Sequence, residues 1–175
     1  MKKEQSTKFL KLCLADALLK MMEASSYDSI NINAICEQAG VGRTTYYRYF
    51  DKKNSKEDLL VFKIIYEWEA YTERHKEEAQ QDSGIVNLRF VYENRKIFRL
   101  MYKNGLITAL MKAFNQMSEL PREKSSSYLR AFFVYGYFGV FYQWIEYDFD
   151  ETPEQIQQHI AETILQILKE KEKQS

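Results

Sequence analysis

An apolar helical pattern made by Ile32, Ile35, Cys36 and Ala39 stops at Gly40, and apolar residues resume at Val41, Tyr46 and Phe50. Glycine accepts the left-handed backbone that closes a helix, so a sharp turn is expected at that point. Two helices joined this way cross closely, and Cys36, four residues before the glycine, is small enough to sit at the crossing. With Val41, Tyr46 and Phe50 turned inward, helical spacing leaves Arg43, Thr44, Tyr47 and Arg48 on one outward stripe. That stripe is cationic, hydroxylated and aromatic. Residue preference alone would make a strand of Thr44-Thr45-Tyr46-Tyr47. The helical reading prevails because a lone strand has no partner in a chain whose other periods are helical.

Only 6 Gly and 2 Pro interrupt 175 residues, which favours long helices elsewhere too. A first helix is predicted from about Thr7 to Ala24, where Leu10, Cys13, Leu14, Ala17, Leu18 and Met21 recur at helical spacing. A fourth opens at Ser55, in a stretch resembling a capping box, and runs to about Ala79 with apolar residues on two sides. Gln80 to Gly84 reads as the boundary loop. Ile85 to Tyr102 is predicted helical with a break near Asn94, and Asn104-Gly105 ends it. The next helix runs to about Leu120 and stops at Pro121. Ser126 to Tyr147 is the most apolar stretch, and aromatic residues all round its centre predict burial on most faces. The last helix starts at Thr152-Pro153-Glu154-Gln155, a capping box with proline in the first turn, and carries Ile156, Ile160, Ile164, Ile167 and Leu168.

The sum is an all-α chain of about nine helices. Residues 1–54 form a three-helix unit built on a helix-turn-helix, and residues 55–175 form a helical ligand-binding and dimerisation bundle, with 55–79 as the connecting helix. A membrane span is excluded for the aromatic helix, because its core from Ala131 to Trp144 falls short of the roughly 20 residues needed. Gly136 and Gly139 share one of its faces and permit close approach of a neighbouring helix or space for a ligand.

Net charge is zero, but its distribution is not even. Residues 1–65 carry 11 Lys/Arg against 8 Asp/Glu, and Val41 to Lys56 alone holds Arg43, Arg48, Lys52, Lys53 and Lys56 against Asp51. The positive charge is therefore concentrated on the outward stripe and the loop after it, as a nucleic-acid surface requires. No Gly-rich phosphate loop, metal-spaced cluster or nucleophile motif is visible, so neither catalysis nor a cofactor is expected. Cys13 and Cys36 read as small buried hydrophobes. With Lys8, Lys11 and Asp16 interrupting any signal-peptide core, the expected location is the cytoplasm.

Tyr27-Asp28-Ser29-Ile30-Asn31-Ile32, Ile35, Ala39-Gly40-Val41, Thr45-Tyr46-Tyr47-Arg48-Tyr49-Phe50 and Lys56-Glu57-Asp58-Leu59-Leu60 resemble, in order and nearly in register, the DNA-binding signature of the TetR family of transcription regulators. Three positions depart from it. Asn31 stands where threonine is usual, Gly42 where a serine caps the recognition helix, and Thr44 where glycine is common. The link at Asp51 to Ser55 is also longer than usual. The resemblance implies a repressor that binds an inverted-repeat DNA site as a homodimer, paired through its last two helices.

On that footing Arg43, Thr44 and Arg48 are expected nearest base edges, arginine being the commonest reader of guanine. Asn31, Thr45, Tyr47, Tyr49, Lys52, Lys53 and Lys56 are expected to hold phosphates. Family analogy further implies a small, mostly apolar effector among the central helices, with Tyr66, Phe98, Tyr102, Phe114, Phe133, Tyr137, Phe141 and Trp144 as candidate lining. Two alternatives stand beside it. Phe90 to Phe98 with Gln143-Trp144-Ile145 resembles the C-terminal domain of the DhaS-type branch, which implies a protein partner instead of a small molecule. The other is a helical interaction module that binds no DNA.

Overall fold

The computed structural model describes residues 2–50, 56–118 and 123–172. Among them are ten α-helices, two short 3-10 turns and no strand. Ser55, Lys52, Lys53, Leu120 and Pro121 lie outside the described residues, as do the side chains of Ile167 and Leu168.

Helix α1 (Lys2–Met22) buries Leu14, Ala15, Leu18 and Met22 against the next two long elements of the head, α2 (Ile32–Ala39) and α4 (Glu57–Arg74). It begins earlier than the apolar pattern predicts. A 3-10 turn, Tyr27–Ser29, leads into α2. Asn31 caps that helix by accepting a 2.9 Å hydrogen bond from the Ala34 N–H, so asparagine serves where threonine is usual. At the far end Gly40 is left-handed (φ 64°), and the Val41 N–H reaches back to the Cys36 carbonyl at 2.9 Å. This is the closure expected of a helix stopped by glycine. Helix α3 (Arg43–Tyr49) comes next, with Gly42 at its N-cap giving no side-chain hydrogen bond.

α4 packs against α1 and against α8 (Ile107–Met117), so one helix touches both ends of the molecule. Lys63 on α4 pairs with Asp16 on α1 at 2.9 Å, and Asp58 at its start pairs with Lys112 on α8. The chain then breaks at His75, where apolar spacing predicts one continuous helix, and restarts as α5 (Lys76–Gln81). No glycine or proline stands there. The break falls where Tyr71 is buried between Phe90 (5.5 Å) and the stacked His75 ring (4.3 Å), a tertiary arrangement. It also explains the tenth helix.

The expected loop at Gln80 to Gly84 shrinks to one residue. Asp82 accepts from the Ile85 N–H at 3.1 Å, capping α6 (Ser83–Glu93), and from Gln157 of the last helix at 2.6 Å. The Ile85 N–H is the main reason its carboxyl titrates below the ordinary range. The predicted break at Asn94 is present, and α7 (Arg95–Lys103) ends at Asn104.

α9 (Ser127–Glu146) departs most from expectation. One face, with Val134, Phe138, Phe141 and Ile145, is buried, but Tyr128 is 83% and Phe132 74% exposed, and Leu129 and Tyr135 are bare as well. Within one chain the aromatic helix is half covered, because aromatic residues stand on the outer face as well as the inner one. α10 (Pro153–Glu172) opens with the predicted capping box: the Thr152 N–H donates to Gln155 Oε1 at 2.8 Å and the Gln155 N–H to Thr152 Oγ1 at 3.3 Å. It packs on α6, while Ile164 and Leu165 remain exposed.

Candidate nucleic-acid interface and central cavity

α3 is short, and its sequence sorts cleanly by side. Val41, Tyr46 and Phe50 are buried, with the Tyr46 ring 5.4 Å from Phe50, and they anchor the helix on the head's core. Arg43, Thr44, Tyr47 and Arg48 are exposed on the opposite face, and Thr45 is half-buried at its edge. The outward stripe expected from spacing is thus present, two arginines flanking a hydroxyl and a ring.

The remaining members of the predicted set divide. The exposed Asn31 uses its side-chain oxygen to cap α2. Tyr49 is half-buried and turned towards α1: its hydroxyl accepts from Thr7 Oγ1 at 3.1 Å, and Lys11 lies 5.9 Å above its ring. Lys56 reaches back to the turn before α2. Its ammonium donates to the Tyr27 and Ile30 carbonyls (2.6 and 2.5 Å) and sits 4.1 Å from the Tyr27 ring centre, and burial holds its pKa below that of an ordinary lysine. The Tyr27 carbonyl also accepts from the Ile30 N–H at 3.2 Å, so the cation takes its remaining lone pair together with the Ile30 carbonyl at the end of the 3-10 turn. Lys56→Met is therefore expected to cost about 2 kcal/mol of stability, read by urea unfolding, because charge-assisted bonds are lost from a partly buried site. The salt dependence of DNA affinity should be unchanged, since it counts phosphate contacts.

Sequence reasoning missed Asn33. It lies exposed on α2, and its Oδ1 accepts from Arg43 Nη1 at 3.2 Å, tying the first arginine of the stripe to the preceding helix. The signal was available in the pattern, since Ile32, Ile35 and Cys36 on the packed side leave Asn33 facing outward.

Behind the head, α4, α5, α6, α8 and α9 enclose an open cavity of about 780 Å³. Phe114, Phe133, Tyr137 and Phe141 line it as expected, joined by Trp68, Thr72, Val86, Asn87, Phe90 and Val91, which the sequence pattern does not single out. The other four candidates lie elsewhere. Phe98 and Trp144 are each 1% exposed and belong to the core, Phe98 between Phe90 and Phe114, Trp144 stacked on Tyr92 and covered by Phe149. Tyr102 turns to Tyr142 and donates to Glu146 at 3.0 Å, an interaction that pushes its pKa up to about 12. Tyr66 sits beside Phe62 on a side of α4 that Trp68 and Thr72 do not share. Aromatic content marked the region, but helix rotation decides which rings reach the space.

Among the described residues no group of three or more His, Cys, Asp or Glu is placed to hold a metal, and no helix is long and apolar enough to cross a membrane. Residues 14–61 match a family model described as bacterial regulatory proteins, tetR family. Residues 66–166 match a second, described as transcriptional regulator C-terminal region. No curated protein matches the chain.

Proposed function

The chain belongs to the tetR family of bacterial regulatory proteins, DNA-binding regulators of transcription, and we propose that it acts as a homodimeric repressor released by a small, mostly apolar effector. The observation that carries this reading is the open cavity reached by α4, the same helix that packs against the head through α1. A molecule that fills the space moves or stiffens α4 and so alters how α3 is presented. The protein-partner alternative calls for that space to be filled by side chains, and the aromatic opening favours a small ligand instead.

In this proposal residues 1–54 form the reading head and 55–175 the regulatory and dimerising body. Arg43, Thr44 and Arg48 face base edges, and Thr45, Tyr47, Lys52 and Lys53 hold phosphates. Tyr49 supports the stripe from behind through α1. The bare face of α9, with Ile164 and Leu165 of α10, is the surface buried in the dimer; an apolar patch of this kind on a regulator marks an interface. The protein acts in the cytoplasm.

Selection of bound duplexes from a random library identifies the site. Arg48→Ala is then expected to weaken binding to it by about 1–3 kcal/mol and to relax the preference at a single base pair per half-site. Equal loss on every sequence would move Arg48 from base reading to the phosphates.

A further inference from the structure

Resting on the cavity as effector site, its chemistry narrows what it accepts. The deep end is made by Phe90, Val91 and Phe141, none more than 2% exposed. The buried residues that line the cavity are all apolar, so a charged group at that depth would be unpaired, at a high cost. The two charged lining residues, Glu73 and Lys76, are opposite in sign and exposed at the mouth. Thr72 directs its hydroxyl to the Trp68 carbonyl at 3.0 Å.

Asn87 differs from these. It lies on the cavity face of α6, one turn before Phe90 and Val91, partly buried, and its amide makes no hydrogen bond to any described residue. An amide offers one acceptor oxygen and two donor hydrogens, so it matches a hydroxyl or a carbonyl equally well. We propose that the effector is an uncharged, predominantly aromatic molecule whose hydroxyl or carbonyl is bound by Asn87, its rings lying against Phe90 and Phe141. Charged molecules are excluded by the floor, and purely apolar ones are bound less well because they leave the amide unpaired.

Calorimetric titration of the full chain with four probes sharing one ring system tests this: 2-naphthol, 2-methylnaphthalene, 2-naphthoate and 2-naphthylmethylammonium. 2-Naphthol should bind about tenfold more tightly than 2-methylnaphthalene. It should exceed either ion by more, about thirtyfold. In Asn87→Leu, naphthol and methylnaphthalene should come within about twofold of each other, with the methylnaphthalene affinity retained as proof that the pocket is intact. Asn87→Ala is read the same way if leucine disturbs the fold. An ion binding best, or a naphthol preference that survives both substitutions, overturns the assignment. Failure of all four probes to bind the unaltered protein refutes the cavity as effector site, which is a different result.

Discussion

Gly136→Leu is expected to yield a folded monomer whose affinity for its DNA site is lower by about 10²–10⁴-fold. In one chain a Cβ at Gly136 or Gly139 meets nothing within 4 Å, so leucine has room and, as a better helix former, does not weaken α9. Glycine at these positions is not required by the chain's own packing. Its use is explained if a second helix lies against this face, with Phe132 and Tyr135 beside the gap, and a leucine there holds the two helices apart. The large fall in affinity comes from losing the second reading head, since the first then binds alone. Sedimentation velocity reads the association state, circular dichroism the fold, and the thermal midpoint should cease to depend on concentration. A dimer that persists in Gly136→Leu and Gly139→Leu would place the interface elsewhere.

Tyr46 supplies the second large effect, with two substitutions of opposite sign. Its side chain is fully buried beneath α3 against Phe50 and Tyr47, so Tyr46→Ala is expected to destabilise the protein by about 3–5 kcal/mol. The hydroxyl, however, finds no hydrogen-bond partner among the described residues. Tyr46→Phe should then hold stability or raise it by about 1 kcal/mol, because an unsatisfied buried polar group is removed. Burial pushes the Tyr46 pKa from 10.0 up to about 12. The folded state thus keeps the proton longer than the unfolded state, and the stability this represents is present below pH 10 and is lost as pH rises towards 12. Urea unfolding across that range should show a shallower alkaline loss in Tyr46→Phe. A marked destabilisation by phenylalanine at neutral pH would mean that the hydroxyl has a partner after all.

One physical division separates the features legible in the chain from those that were not. Local chemistry was legible. The Asn31 cap, the Gly40 turn, the Asn94 break and the Thr152–Gln155 capping box depend on backbone groups within a few residues, and each is where spacing put it. The outward stripe on α3 is fixed by three buried residues at helical intervals. Features set by distant packing were not legible. The break at His75 coincides with the Tyr71–Phe90 contact, and the carbonyls that hold Lys56 come from a turn some thirty residues earlier. Trp144 and Phe98 look no different in sequence from Phe141; all three are buried in the core, and only Phe141 also borders the cavity. The bare face of α9 is as aromatic as its buried face, so the pattern alone does not tell which of the two the chain itself covers.

Hydroxyl-radical footprinting of the purified protein on the selected duplex tests the central claim, that two copies of α3 are held in fixed relation and read DNA together. Two protected patches related by a dyad, their centres one helical turn or a whole multiple apart, are predicted. A single asymmetric patch, or no protection at low salt, would contradict it.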